Sequence, residues 1–223
     1  MDTAKETVEK SRKDGMKFSA EKKFYEAWEE DSRLVKAEKA KTLYKRANLG
    51  ERFKRRTFEN FDASKDEIAY QRCLEYSDNY KDREDNSLLI VGSYGTGKTH
   101  LAAAIANKLM SEGVPVLFNT FSGHLNELKC EFNGGKGDYK RQMESVDMLI
   151  LDDVGKEKQS EWTQSIMFDV INHRYEHMLP IVITTNLQNA ELKGYLGDAV
   201  WSRLCEMCIG VKTVGEDYRK KRR

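Results

Sequence analysis

The chain contains no apolar run approaching the roughly twenty residues that a bilayer crossing requires, which excludes a membrane span. Its first residues are charged throughout, so no secretory signal is read there and a cytoplasmic location is expected. Paired metal-ligand spacing is also missing: of the four cysteines, Cys73 and Cys130 are isolated and Cys205-x-x-Cys208 stands without a second pair. They are read as reduced, mostly buried thiols rather than zinc ligands. No internal repeat is present, and the only biased stretch is the glycine cluster Gly134-Gly135-x-Gly137. Net charge is nearly absent as well, at +1 over 223 residues, but the charge is unevenly spread. Residues 1–56 carry 17 Lys/Arg against 11 Asp/Glu, and Arg219 to Arg223 are all basic. Either end suits an acidic partner or nucleic acid, or is a solvated face and a frayed tail.

What is present starts with Gly92-Ser93-Tyr94-Gly95-Thr96-Gly97-Lys98-Thr99, which follows the apolar run Leu88-Leu89-Ile90-Val91 and opens an Ala-rich helix from Lys98 to about Met110. This order of strand, glycine-rich turn and helix makes a phosphate loop. Its glycines let successive backbone N–H groups turn inward around an anion, Lys98 adds a mobile cation for the β- and γ-phosphates, and the Thr99 hydroxyl can ligate Mg²⁺. The helix N-terminus adds its partial positive charge. A merely connecting glycine turn leaves the lysine unexplained.

Further runs, Val114–Asn119, Val146–Leu151 and Ile181–Thr185, read as buried strands, with helices over Asp66–Tyr80 and Ser160–Met178. Strands alternating with helices predict a parallel α/β sheet covered on both faces, with ligands at the carboxyl ends of the strands. Three polar clusters fall at such ends: the phosphate loop, Asp152-Asp153, and Asn186. Asp152, after four apolar residues, is placed to anchor Mg²⁺, and Asp153 to orient or deprotonate the attacking water. Asn186 is placed to bond the γ-phosphate or that water.

Residues 17–48, free of Gly and Pro, carry Phe18, Phe24, Tyr25, Trp28, Leu34, Val35, Leu43 and Tyr44 among charges and read as one or two amphipathic helices. Their apolar stripe must cover either the main domain or another protein. Between the second and third strands, Phe121 to Met143 interleaves Phe121, Phe132 and Tyr139 with Lys129, Lys136, Lys140 and Arg141. Aromatic faces stack bases and basic side chains neutralise phosphates, so this composition suits single-stranded DNA, with Phe121, Lys129, Phe132 and Lys136 as candidate contacts. Two amphipathic helices packing their aromatics inward would carry the same composition.

Taken together, Gly92–Thr99 with His100-Leu101, the strand Leu149–Gly155, the block Ile183-Thr184-Thr185-Asn186-Leu187, and Trp201-Ser202-Arg203-Leu204-Cys205-Glu206-Met207-Cys208 resemble the DnaC/DnaI group of AAA+ replicative helicase loaders. The lead-in Thr57–Asp62 and the closing Gly215-Glu216-Asp217-Tyr218-Arg219 also match, so the resemblance covers about residues 57–219. It implies a P-loop AAA+ core with a parallel five-stranded sheet, preceded by a helical region over 1–56 and followed by a basic tail over 220–223.

The resemblance further implies ATP and Mg²⁺ as cofactors. The nucleotide would be held by Gly92, Ser93, Tyr94, Gly95, Thr96, Gly97, Lys98, Thr99 and His100, and the metal by Thr99 and Asp152. Asp153 would be the catalytic carboxylate and Asn186 a sensor. Arg203 would be an arginine finger acting on a neighbouring copy, so isolated monomers would hydrolyse ATP slowly. The implied partners are a hexameric replicative helicase, which the N-terminal helices are candidates to bind, and single-stranded DNA, for which the family also uses the 121–143 insertion.

Two departures stand out. The pair Asp152-Asp153 replaces the commoner Asp-Glu, leaving the second acid one methylene shorter. Only 20 residues follow Arg203, so no C-terminal lid is expected, with Arg219 a candidate to substitute for its sensor arginine. An IstB-like transposition helper ATPase shares the same core blocks, and a binding protein that uses ATP only as a conformational ligand is a third reading.

Overall fold

The computed structural model describes residues 49–82, 84–135 and 137–218. The helices expected before residue 49, Lys136 and the basic residues from Arg219 onward lie outside the described residues. Five strands form one parallel sheet: β1 (Ser87–Gly92), β2 (Val116–Thr120), β3 (Met148–Val154), β4 (Ile181–Thr185) and β5 (Cys208–Thr213). Their spatial order is β2-β3-β4-β1-β5. Every residue of β1 and β4 is buried, as expected of central parallel strands with both faces covered. Strand β5 forms an edge and alternates, with Gly210 and Lys212 exposed and Val211 and Thr213 buried. The Arg72 guanidinium donates to the Gly210 carbonyl at 3.2 Å, occupying part of that open edge.

The helices are α1 (Glu51–Lys54), α2 (Glu67–Asn79), α3 (Lys98–Ser111), α4 (Phe121–Phe132), α5 (Tyr139–Ser145), α6 (Glu161–Glu176), α7 (Asn189–Leu196) and α8 (Asp198–Met207). The alternation of side chains along each strand separates two cores. Leu88, Ile90, Val116, Phe118, Met148, Ile150 and Val182 pack with α2 and α3 on one face. Leu89, Val91, Leu117, Leu149, Leu151, Ile181 and Ile183 pack with α4 to α8 on the other. Helix α3 is buried nearly all round, and its Ala102, Ala103, Ala104 and Ala106 let sheet, α1 and α2 approach closely. Leu49 is buried in that core and the Phe53 ring lies 5.7 Å from Phe118. Asn107 donates to the carbonyls of Phe53 (2.9 Å) and Arg56 (2.7 Å), so core packing starts by residue 49 among the described residues.

Arg174 on α6 is fully buried. Its guanidinium donates to four carbonyls: Met143 (2.9 Å), Glu144 (3.2 Å), Val146 (2.9 Å) and Pro180 (2.8 Å). Burial pulls its pKa down to about 9, still well above neutrality. The buried charge is tolerated because carbonyl oxygens surround it, and it fixes the segments that lead into β3 and β4. Both prolines, Pro115 and Pro180, stand immediately before strands β2 and β4, where no ladder N–H is forfeited. The thiols differ from expectation. Cys73 is buried, but Cys130 and Cys205 are exposed on the outer faces of α4 and α8 and Cys208 is half-buried. Among the described residues no helix is long and apolar enough to cross a membrane.

Candidate functional site

At the carboxyl edge of the sheet, the register pairs Gly92 with Thr213, Val91 with Thr185, and Thr120 with Asp152, which brings the three polar clusters side by side. The phosphate loop is held in shape by its own hydroxyl: Thr96 Oγ1 donates to the Ser93 carbonyl at 2.9 Å and pairs with Thr213 Oγ1 at 2.7 Å. Gly95 (φ +76°) and Gly97 (φ +96°) adopt left-handed backbone that turns the loop. A Cβ on Gly97 would stand 2.8 Å from the Phe61 ring, and one on Gly92 would overlap Thr213 Oγ1, so the loop is walled from behind. The first backbone bond of α3 runs from Leu101 N to Gly97 O, leaving the amides of the preceding turn pointing out of the helix end. Lys98 is buried along its stem and donates to the Ser93 carbonyl at 2.7 Å. Inward amides, a positive-φ nest and a lysine over the loop are a donor set that fits a polyphosphate.

Thr99 Oγ1 donates to Asp152 Oδ1 at 2.9 Å, and Thr184 Oγ1 donates to the same oxygen at 2.6 Å. Asp152 is only 1% exposed, and burial pushes its pKa up to about 6 against the lowering influence of the two hydroxyls. A hydroxyl and a carboxylate meeting beside a phosphate cradle are hard oxygen donors of the type Mg²⁺ takes. Between Leu151, opposite Ile183, and Val154, opposite Thr185, β3 carries one residue more than β4. This bulge re-aims the chain where the two acids sit. Asp153 adopts φ +59°, a conformation that costs a non-glycine residue about 1–3 kcal/mol. Its N–H donates to Thr184 Oγ1 at 2.9 Å, so one hydroxyl clamps both acids. The Asp153 carboxylate pairs with Lys156 at 2.7 Å.

Asn186 follows β4 half-buried. The turn around it is locked: Thr185 Oγ1 donates to the Val154 carbonyl at 2.7 Å and accepts from Leu187 N at 3.1 Å. Tyr94, at the loop's apex, is 63% exposed. The His100 ring is turned away from the loop. Its Nε2 lies 3.0 Å from the Thr57 carbonyl and its ring stands edge-on to Phe61 at 5.1 Å. Burial holds its pKa below the usual histidine value. The imidazole is thus a contact to the lead-in segment, which leaves the His100 backbone N–H, at the start of α3, as the group that could serve a nucleotide.

Arg203 on α8 is held against α6. Its guanidinium lies 5.4 Å from the Phe168 ring and 5.6 Å from Tyr175, and Nη1 donates to the Ala199 carbonyl at 3.0 Å.

The 121–143 insertion forms α4 and α5. Phe121 is 1% exposed, packed beneath α4 against the sheet because it opens the helix directly from β2. It has no face for a base, which corrects its expected DNA contact. Tyr139 also points inward, its hydroxyl 2.9 Å from His124 Nδ1. His124 Nε2 lies 3.0 Å from the Ile150 carbonyl, and burial pushes this imidazole down to about 4. Phe132, by contrast, is 59% exposed. It meets Trp162 of α6 edge-on at 6.4 Å, and Lys129 Nζ stands 5.2 Å from the same indole. These three border an open groove of about 500 Å³, with Lys140 paired to Asp169 at 2.9 Å on its other side. Sequence reasoning missed Trp162 and Thr184. The first carried no signal, since only the fold brings α6 against α4; the second carried one, a hydroxyl at the end of an apolar strand.

The sequence pattern of the family described as IstB-like ATP binding protein matches residues 3–223. The phage-like element PBSX protein XkdC of Bacillus subtilis (strain 168) is 34% identical over 149 residues, covering 63% of this chain and 55% of that protein. The replicative helicase loader DnaC of Escherichia coli (strain K12) is 27% identical over 183 residues, covering 80% of this chain and 73% of DnaC. A solved structure of the replication initiator DnaA, bound to AMPPCP and single-stranded DNA, superposes with a TM-score of 0.64 at 27% identity. That match covers 76% of this chain and 52% of the other. The chain spans about half the length of several curated relatives that it matches.

Proposed function

The chain belongs to the IstB-like ATP-binding family of P-loop AAA+ proteins, and on that footing we propose that it is an ATP-hydrolysing helicase loader that acts on single-stranded DNA. The observation that carries the enzymatic part is the convergence of the Thr99 and Thr184 hydroxyls on one carboxylate oxygen of Asp152 beside the phosphate loop. A buried acid lifted to about 6 is retained at a cost to the fold. Divalent-metal binding repays that cost.

In this reading Lys98 and the loop amides hold the polyphosphate, and Thr99 with Asp152 holds Mg²⁺. Bound MgATP supplies the scissile phosphoanhydride and neutralises its charge. Asp153 and Asn186 orient water at the γ-phosphate, the shorter side chain of Asp153 being consistent with slow turnover. Arg203 leaves its Phe168–Tyr175 seat to reach a neighbouring copy, a contribution worth about 10³–10⁵ in rate when supplied in trans. The groove of Phe132, Trp162 and Lys129 is the proposed seat for a base and its phosphate, since aromatic faces stack any base. Lys136 belongs to the same proposal on sequence alone.

The helicase reading is supported by the DnaC relative and assigns residues 1–56 as the adaptor, 57–219 as the ATPase and 220–223 as a basic tail. A second reading, an IstB-like transposition helper ATPase that partners a transposase, is compatible with the same family match. Phosphate release with and without single-stranded DNA tests the activity, and no turnover in either condition would leave only an ATP-switched binder. Affinity capture in MgATP separates the partners: recovery of a hexameric replicative helicase supports the loader, and recovery of a transposase replaces it.

A further inference from the structure

Lys156 lies three residues beyond Asp153, on the turn that leaves β3 after Gly155 (φ +97°). Its Nζ is 2.7 Å from Asp153 Oδ2 and 5.6 Å from the centre of the Tyr94 ring at the tip of the phosphate loop. One ammonium therefore bridges the two walls of the site, the loop that cradles phosphate and the acid that faces it. The sequence motifs assign it no role.

The pair is made of half-exposed groups, with side-chain exposures of 45% for Lys156 and 26% for Asp153. Such solvated ion pairs contribute little and exchange readily. A terminal phosphate between the same two walls offers the ammonium more negative charge and several acceptor oxygens, and charge-assisted bonds of that kind are the stronger ones. A diphosphate would be held by the loop and Lys98, which serves the second phosphate as well as the third, and would offer Lys156 no third phosphate.

Resting on the ATP-binding reading above, we propose that Lys156 is the residue that distinguishes nucleoside triphosphate from diphosphate. Its ammonium leaves Asp153 for the third phosphate, which tightens triphosphate binding and in the same movement releases Asp153 Oδ2 to hold water. Asp153 stays occupied until a triphosphate arrives.

Calorimetric titration of the full chain with AMPPNP and with ADP, each with magnesium, tests this on wild type, Lys156→Met and Lys156→Arg. Lys156→Met is expected to weaken AMPPNP by about tenfold or more while leaving ADP unchanged, and Lys156→Arg to keep the wild-type ratio. The proposal is overturned if Lys156→Met retains the wild-type ratio to within about twofold, if both nucleotides weaken together, or if Lys156→Arg loses the preference as fully as methionine does. Wild type that takes up neither nucleotide would instead remove the ATP reading itself, an outcome separate from a wild type that binds both and a variant that changes nothing.

Discussion

The strand-end site and the α4–α6 groove are built on opposite principles. At the strand ends hydroxyls tie the site together: Thr184 serves both acids, Thr96 ties the loop to β5, and Asp152 is sealed from water. In the groove Phe132 stands 59% exposed and the charges are solvated. Chemistry on a phosphoanhydride needs charges held at fixed distances in a dry pocket, whereas sequence-tolerant contact with a flexible strand needs open aromatic faces and mobile cations. Order in the first region and exposure in the second therefore each suit the role proposed for it.

The contrast is sharpest within α4 itself, whose two phenylalanines stand at its opposite ends, Phe121 buried where the helix leaves β2 and Phe132 exposed at the last residue. Phe121→Ala should cost about 3–5 kcal/mol of stability by opening a cavity against the sheet, read by denaturant unfolding. An equal loss for Phe132→Ala would break the comparison.

Asp152→Asn comes next. It should lower magnesium-dependent turnover by about 10²–10³-fold yet stabilise the nucleotide-free fold. The sign follows from linkage: the folded pKa of about 6 lies above the ordinary 3.8, so the folded chain binds the extra proton between those values. The aspartate's stability contribution is then fully present below about pH 4 and lost as pH rises through 6. At pH 7.5 the asparagine variant should gain up to about 3 kcal/mol, and melting curves should converge with wild type near pH 4. A variant less stable at pH 7.5 would show that Asp152 is not strained by burial.

Trp162→Ala should weaken single-stranded DNA by about tenfold in fluorescence anisotropy, the effect of one lost stacking partner, with basal phosphate release unchanged. The smallest effect is expected at Ser160, whose hydroxyl accepts from Thr163 N at 3.1 Å and caps α6. Ser160→Ala should cost about 1 kcal/mol without altering either site's chemistry.

The same division explains what could be read in the sequence. The phosphate loop and the paired aspartates are legible because each is a local string, an apolar strand ending in polar residues, and the fold puts strand ends together whatever the intervening chain does. Four strands are located by their buried runs. β5 is not, because an edge strand alternates, and Gly210 in its middle reads as a break. Phe121 is misread as a surface aromatic since composition does not say which side of a helix meets the sheet. Trp162 and Lys156 escape notice for a related reason: their partners, Phe132 and Tyr94, are distant in sequence and adjacent only after folding.

The hydroxyl pair Thr96–Thr213 joins the first strand's loop to the last strand across 117 positions. During synthesis the ribosome releases the glycine loop early, but its rear wall arrives only when residues near 213 have emerged. The nascent chain must therefore wait for those 117 further positions before it has a finished nucleotide pocket.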